Sequence, residues 1–272
     1  MPAEILELEQ PTNKVSLYND RNWGSCVAAC EISSRSPHRA YFNVKYTIER
    51  ALGTFLLMGA APAIAVLWIV VKLTSRGPGL FIQRRVGLNG EVFGIVKLRT
   101  MCENAEPGGQ PKWCVLRDSR ITRVGRVLRA LHLDELPQLW NVANGDMCLV
   151  GPRPERPEIT KSLEKLIPGY QLRHSIKPGI TGLSQVNLEA DRHINLTRKK
   201  QILDLRYVNE ANLWLDIRIL FATSLRIFGI KGNWAMKLAA LKRSISNREL
   251  AAHRYQFETP EADLWNPSKG PA

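Results

Sequence analysis

The sequence predicts an α/β protein in which a mainly helical cytoplasmic domain with a small antiparallel ribbon is anchored by a proline-kinked, re-entrant membrane helix. Three observations support this prediction. Residues 51–71 carry no charge and contain a central proline, residues 80–98 contain two apolar runs around an Asn-Gly turn, and several segments after residue 123 have helical spacing.

The 272 residues divide into four predicted parts. Residues 1–43 mix Pro, Ser, Asn and charged residues without periodicity, which predicts a weakly ordered leader. Residues 44–75 hold the membrane helix, and residues 76–230 form the main domain with its interfacial amphipathic helices. Residues 231–272 are predicted to be a basic helix followed by a disordered tail.

The net charge of +13 indicates polyanionic partners. Nucleic acid, anionic lipid headgroups and phosphorylated substrates all carry the required charge. Five cysteines without a Cys-x-x-Cys pair predict neither a disulfide framework nor a zinc site. Composition therefore indicates a protein that binds or acts on anions, but it does not say which of these three kinds of anion.

The apolar segment Ala51–Val71 is long enough, at about 1.5 Å per residue, to cross the hydrocarbon core of a bilayer as a helix. Pro62 removes one backbone hydrogen bond near its centre and predicts a kink. Basic residues lie on both sides of the segment, so charge asymmetry does not orient it. We therefore favour a helix that enters and leaves by the cytoplasmic face. A straight span and a buried core helix are the alternatives.

The apolar runs 80–86 and 92–98 predict a β-hairpin, because Asn89-Gly90 is a favoured turn between two strands. Lys97 and Arg99 lie at the end of the second run. Considered alone, these two residues are equally consistent with ordinary solvated charge.

Asp134 and Glu135 are adjacent carboxylates just before a short apolar helical pattern. Asp134 fits the N-cap position of that helix, with Pro137 in its first turn. The N-terminus of a helix favours negative charge and also binds phosphate. A carboxylate at such a place is either a metal ligand or a nucleophile, although a capped helix without any chemistry explains the same pattern.

Basic residues occur on both sides of this acidic pair. Arg126 and Arg129 lie about one helical turn apart before it, and Arg153 follows it between two prolines that fix its backbone. The Arg153 segment alone is also consistent with a plain turn. Arginines around two carboxylates favour a site for a divalent metal and a phosphorylated ligand.

Amphipathic patterns follow towards the C-terminus. Residues 199–210 have helical spacing, and residues 211–230 are apolar apart from three charges, which disfavour a second membrane span. Residues 211–230 are predicted either as an interfacial helix with Trp214 and Phe221 near the headgroups or as a helix of the core. Residues 235–255 form another basic amphipathic pattern.

Four motifs, taken together, resemble those of the bacterial sugar transferase family. They are GPGLFIQRRVGLNGEVFGIVKLRTM, DSRITRVGRVLRALHLDELPQLWNV, NGDMCLVGPRP and KPGITGLSQVN. Following a proline-kinked apolar segment, they are similar to the small members among the monotopic polyprenyl-phosphate phosphoglycosyl transferases, which start exopolysaccharide and glycan assembly. The similarity extends over residues 45–230.

The resemblance implies transfer of a sugar phosphate from a nucleotide diphosphosugar, usually a UDP-sugar, to undecaprenyl phosphate with release of UMP. It also implies Mg²⁺ as cofactor and a position on the cytoplasmic face of the bacterial inner membrane. By position, Asp134 resembles the nucleophile that forms an aspartyl-phosphosugar intermediate, and Glu135 resembles its acidic partner; both are implied metal ligands. The residues that resemble the family's phosphate and nucleotide contacts are Lys97, Arg99, Arg129 and Arg153.

Two other functions use part of these features. A non-catalytic, basic membrane-surface scaffold would use the positive net charge, but it would have no use for Asp134 and Glu135. A nucleic-acid-binding protein would have no use for the uncharged segment 51–71. The expected partners are therefore a UDP-sugar, undecaprenyl phosphate and membrane lipid, without nucleic acid, and a homo-oligomer stays open. Residues 182–185, Gly-Leu-Ser-Gln, stand where the family usually has Gly-Trp-Ala-Gln, so the motifs do not identify the sugar.

Overall fold

A computed structural model describes residues 38–103, 105, 118–167, 169–188, 194–227, 229–230, 232–241 and 245. Its helices are α1 (His38–Thr74), α2 (Arg123–Ala130), α3 (Gln138–Asn144), α4 (Pro157–Leu166), α5 (Leu183–Asn187), α6 (Ile194–Glu210), α7 (Leu213–Ile227) and α8 (Gly232–Leu238). Its strands are β1 (Leu80–Val86), β2 (Val92–Leu98), β3 (Cys148–Val150) and β4 (Gly179–Thr181). Three short 3-10 segments cover Leu88–Gly90, Leu133–Glu135 and Tyr170–Ser175.

The predicted class is confirmed at this level: the fold is mostly helical, with a small antiparallel sheet and one long apolar helix before it. The first 37 residues of the predicted leader and the predicted tail from residue 258 lie outside the described residues. The basic helix predicted for residues 235–255 ends at Leu238 and is followed by a turn in which Ala240 has a left-handed backbone (φ 51°).

Helix α1 is 37 residues long and runs through Pro62. Among the described residues it is the helix that is long and apolar enough to cross a membrane, and only 6% of its most apolar window is buried. Near its middle, Gly53 lies against Val142 of α3 so closely that a Cβ there would be 2.5 Å from the valine Cγ1. Further along, Val71 packs with Leu98 and Leu128. The long helix thus contacts the domain both near its middle and near its C-terminal end.

The hairpin is confirmed with the predicted strand boundaries. Val86 pairs with Val92 next to the turn and Leu80 pairs with Leu98 at the open end. Asn89 and Gly90 both have positive φ (52° and 81°), which is the backbone that an Asn-Gly turn supplies with little steric cost.

A second pair of strands, β3 and β4, is parallel and was not apparent from the sequence. Cys148 pairs with Gly179, and Val150 pairs with Thr181. A Cβ on Gly179 would lie 2.1 Å from the backbone nitrogen of Gly151, so only glycine permits this approach. The pair joins the segment that leads to Arg153 to the segment that leads to α5.

The main core lies between α1, α3, β3, α6 and α7. Helix α7 turns one side into this core, where Leu215 and Ile219 are buried, and leaves Trp214 and Phe221 exposed. The buried side of α7 agrees with the prediction of a core helix. The prediction of an interfacial helix stays a prediction, for which the other side presents exposed apolar residues.

Three buried charges connect α1 to α7. The Lys45 Nζ donates to Glu49 Oε1 (2.5 Å) and to Asp216 Oδ2 (2.6 Å). Glu49 Oε2 in turn accepts a hydrogen bond from the backbone N–H of Leu149 (2.8 Å). The hydroxyl of Tyr207 donates to Asp216 Oδ1 (2.6 Å). The beginning of the long helix is therefore bonded to β3 and α7, and α7 is bonded through the same carboxylate to α6.

Candidate active site

Asp134 lies inside the 3-10 turn Leu133–Glu135, not at the N-cap of the next helix. His132, just before this turn, has a left-handed backbone (φ 55°), so the chain changes direction and α3 begins only at Gln138, with Pro137 as its N-cap. The predicted N-cap role of Asp134, with Pro137 in the first helical turn, is therefore wrong. The turn packs against α2 and β2, and Asp134 is only 9% exposed.

Glu135 is held by two cations. Its Oε1 accepts from the Lys97 Nζ at 2.7 Å and from Arg153 Nη2 at 2.6 Å, and Oε2 lies 3.5 Å from Arg153 Nη1. Lys97 comes from β2, and Arg153 from the segment after β3. Three distant parts of the chain, each predicted from the sequence to contribute to the site, therefore meet at one carboxylate.

The two neighbouring carboxyls have opposite electrostatic environments. Burial and the adjacent charge of Glu135 raise the pKa of Asp134 above its usual range, while Lys97 and Arg129 act against this rise. Burial would also raise the pKa of Glu135, but Arg153 and Lys97 outweigh it and hold that pKa well below its ordinary value. Glu135 is thus a firmly ionised partner, whereas Asp134 is the more basic carboxylate.

The pKa values of the two cations, Lys97 and Arg153, are also shifted. Burial lowers the pKa of Lys97 to about 8, with further lowering by the nearby charge of Arg153. The charge of Glu135 raises the pKa of Arg153 above its ordinary value. Arg153 is permanently cationic, and Lys97 is the group whose charge can change within the range in which enzymes are assayed.

Arg129 and Arg99 have different surroundings from each other. The Arg129 Nε donates to the hydroxyl of Thr100 (2.8 Å), and its charge acts on Asp134, so it belongs to this cluster. Arg99 Nη2 instead donates to the carbonyl oxygen (2.8 Å) and hydroxyl (2.7 Å) of Ser75, just after α1. Arg99 therefore holds the end of the long helix, and these two hydrogen bonds direct it to Ser75 and not to the acidic pair.

Asn141 of α3 fixes the acidic turn relative to β2. Its Oδ1 accepts from the backbone N–H of Val96 (3.0 Å), and its Nδ2 donates to the carbonyl oxygen of Gly94 (2.7 Å). One buried amide thus makes two hydrogen bonds to one edge of β2, the strand that contains Lys97. Sequence reasoning missed this residue, because a lone Asn in a helical pattern gives no sign of a partner 45 residues earlier.

A cavity of about 580 Å³ begins at Glu135 and Arg153 and extends between β4, α5, α6 and α7. Its far side includes residues that were not assigned to the site from the sequence: Thr181, Ser184, Gln185, Lys200, Thr223 and Arg226. The first three belong to the motif KPGITGLSQVN, so the sequence did offer a reason to place them at the site. Arg226 was counted only as a charge that interrupts an apolar segment, and nothing in the sequence linked Lys200 to the site.

A metal ion would have two carboxylates here. Among the described residues no group of three or more His, Cys, Asp or Glu side chains could hold a metal. Magnesium, however, is commonly bound through one or two carboxylates together with substrate phosphates and water. Asp134 and Glu135 fit that mode, with the remaining ligands supplied by the substrate.

Asp134 is a basic carboxylate beside Glu135, which lysine and arginine fix and which lines a cavity with further cations. This arrangement is suited to transfer of phosphorylated groups. The chain belongs to the bacterial sugar transferase family, whose model matches residues 40–229. The family suggested by the four motifs is confirmed.

Three relatives illustrate the family. The chain is 42% identical over 194 residues to a UDP-glucose:undecaprenyl-phosphate glucose-1-phosphate transferase of Xanthomonas campestris pv. campestris, a match that covers 70% of this chain and 40% of the relative. It is 37% identical over 193 residues to a UDP-N-acetylgalactosamine-undecaprenyl-phosphate N-acetylgalactosaminephosphotransferase of Aeromonas hydrophila, covering 71% of this chain and 45% of the relative. The uncharacterized sugar transferase EpsL of Bacillus subtilis is 37% identical over 194 residues, with 70% of this chain and 89% of the relative covered. The chain thus spans less than half the length of the first two relatives.

Proposed function

We propose that this protein transfers a sugar phosphate from a UDP-sugar to undecaprenyl phosphate and releases UMP. The observation that carries the proposal is the environment of Asp134, a buried and basic carboxylate in a cluster with Lys97, Arg129 and the Glu135–Arg153 pair. Undecaprenyl-phosphate sugar transferases among the relatives support both substrate classes.

In the first step, a carboxylate oxygen of Asp134 attacks the sugar-bearing β-phosphorus. A new O–P bond forms, which makes Asp134 an acyl phosphate (a mixed anhydride), the bond from that phosphorus to the bridging oxygen breaks, and UMP leaves with the electron pair. In the second step, a phosphate oxygen of the lipid attacks the same phosphorus, and Asp134 leaves as the free carboxylate. Two displacements replace one between two large anions, which is the usual benefit of covalent catalysis.

The other residues stabilise charge and hold position. Lys97 and Arg153 would bind phosphate oxygens on which negative charge accumulates as UMP leaves, with Arg129 and Arg99 as further phosphate and nucleotide contacts. Glu135 keeps the first two cations in place through its bonds of 2.7 and 2.6 Å. Mg²⁺, held by Asp134 and Glu135, would neutralise part of the diphosphate charge.

For the long helix we propose the re-entrant arrangement at the cytoplasmic face of the bacterial inner membrane. Both of its flanks contact the same domain: Arg50 Nε donates to the carbonyl oxygen of Ala143 (2.9 Å), and Ser75 accepts from Arg99 (2.8 Å). A straight span would separate these flanks by the thickness of the bilayer, about 30 Å of hydrocarbon. The exposed apolar side of α7 would lie on the same surface. The reaction would then be the first membrane step of exopolysaccharide or glycan assembly.

The test is UMP release by the full chain in nanodiscs, with undecaprenyl phosphate, Mg²⁺ and a panel of UDP-sugars. We expect Asp134→Asn to lower turnover by at least about 10³-fold, because an amide is not a nucleophile at phosphorus. Glu158→Gln is the matched control: this carboxylate is exposed on α4, and its loss should leave the rate unchanged.

A second measurement identifies the intermediate. If lipid is left out, intact-mass analysis should find one sugar phosphate on the wild-type chain and none on Asp134→Asn. Normal UMP release by Asp134→Asn would refute the nucleophile assignment. No UMP from any UDP-sugar, with binding to anionic vesicles retained, would instead favour the non-catalytic scaffold.

A further inference from the structure

The backbone that carries Arg153 is bonded at three successive carbonyl oxygens. The carbonyl of Arg153 accepts from Arg173 Nη2 (2.9 Å), and that of Pro154 accepts from Arg85 Nη1 (3.0 Å). The carbonyl of Glu155 accepts from the backbone N–H of Val86 (2.8 Å). Because Pro152 and Pro154 also have restricted φ angles, this segment has little backbone freedom left.

The first donor, Arg173, is itself firmly held. Its side chain is fully buried, its Nη2 lies 2.6 Å from Asp204 Oδ2, and its Nη1 donates to the hydroxyl of Tyr170 at 2.8 Å. A buried guanidinium is costly unless its charge and its N–H groups are matched. The bond to the Arg153 carbonyl is one of those matches, so the segment and the buried pair depend on each other.

The second donor, Arg85, lies in β1, where neighbouring residues alternate in direction. Its side chain is 18% exposed and also donates to Gln83 Oε1 (2.6 Å). Arg84, the preceding residue, is exposed. The strand therefore offers two adjacent arginines, one directed to the Arg153 segment and one to solvent.

We propose that Arg85 and Arg173 are positioning residues that hold Arg153 where it meets Glu135 and the transferred phosphate. They act on the backbone of Arg153 and not on the substrate. The inference rests on the proposed function for its effect on turnover, because Arg153 is assigned there to phosphate binding. Its structural part, the immobilised segment, is independent of any reaction.

A double-mutant cycle measures whether Arg85 acts through Arg153. Arg85→Met should lower kcat/KM for the UDP-sugar by about 10-fold in the wild-type chain, mainly through KM, because a displaced guanidinium binds phosphate less well. In the Arg153→Ala chain the same change should cost less than about twofold, because nothing is left to position. Arg84→Met is the matched control and should have no effect in either chain. Equal losses in both chains would overturn the proposal.

Hydrogen exchange measures the segment directly. The amides of Arg153 and Glu155 should exchange at least about 10-fold faster in Arg85→Met, while α4 stays unchanged. For Arg173, the variant is Arg173→Met combined with Asp204→Leu, because replacing a buried ion pair by apolar residues leaves no unpaired charge. Unchanged exchange in both variants would overturn the proposal. If the wild-type chain releases no UMP from any donor, the proposed function fails, and exchange alone decides whether the segment is held.

Discussion

At the scale of single residues, two adjacent carboxyls have been made chemically unequal. Glu135 receives two cations and stays ionised, whereas Asp134 is buried with a raised pKa. Neighbouring titratable groups whose pKa values are driven apart commonly have different roles in one reaction. This difference supports the proposed division, in which Asp134 reacts and Glu135 holds the two cations.

Lys97 should set the alkaline limit of activity. Its pKa of about 8 means that it is mostly protonated at pH 7 and loses its charge as the pH rises through 8 to 9. Neutral Lys97 attracts neither Glu135 nor phosphate, so kcat/KM should fall over this range. The measurement is the pH profile of kcat/KM between pH 6.5 and 10.

The matched variant is Lys97→Arg, because arginine stays charged throughout this range. Its absolute rate can be lower, since the two side chains differ in shape, but its fall near pH 8 should disappear. The same alkaline limb in the variant would assign that limb to another group.

The sequence was informative about these residues for a physical reason. Asp134, Glu135, Lys97 and Arg153 are charged groups next to turn and proline signals, which are visible locally, and the structure brings all four together. Asn141 and Arg173 were missed because their roles come from partners far away in sequence. Arg99 is two residues from Lys97, yet it points to Ser75, which spacing alone does not reveal.

At the scale of elements, the long helix contacts the domain near both ends, and the two possible topologies make different predictions. Cysteines introduced at Val44 and Arg76, both exposed, lie on either side of the apolar segment. In the re-entrant arrangement both should react with a membrane-impermeant maleimide in inverted vesicles, and neither in right-side-out vesicles. Other accessible cysteines are replaced by serine for this measurement.

A cysteine at Val66, in the exposed apolar part of the helix, is the control and should be unreactive in both preparations, because it would lie in hydrocarbon. Reaction of positions 44 and 76 in opposite preparations would mean that the helix spans the bilayer.

Element boundaries were predicted best where the local signal was strong. Two apolar runs and the Asn-Gly turn between them located both strands of the hairpin. The start of α3 was predicted three residues too early, because His132 takes a left-handed backbone that local sequence does not indicate. The parallel pair of β3 and β4 has three residues per strand, too few to show a period.

At the scale of the whole molecule, the buried cation Lys45 joins the long helix α1 to the domain. Lys45→Met would leave Glu49 and Asp216 close together in the interior without their shared cation. Removing one partner of such a buried pair typically costs about 3–5 kcal/mol, so we expect the free energy of unfolding to fall by that amount. The measurement is denaturant unfolding in detergent micelles.

Lys72→Met is the control, since this lysine lies exposed near the other end of the same helix. It should change the unfolding free energy by less than about 0.5 kcal/mol. Equal stability of the two variants would contradict a structural role for the buried charges. Such long-range charge matching is invisible in a sequence, since Lys45 and Asp216 are 171 positions apart.

The two bonds that Asn141 makes to β2 have a consequence for catalysis. Since α3 follows the acidic turn directly, that single amide fixes the strand of Lys97 and the turn of Asp134 and Glu135 as one rigid frame. The spacing between Lys97 and Asp134, the proposed nucleophile, is then set during folding, before any donor binds. No substrate-binding energy is then needed to bring these groups together. Charged groups that are already in place also need no reorientation when negative charge develops on the substrate.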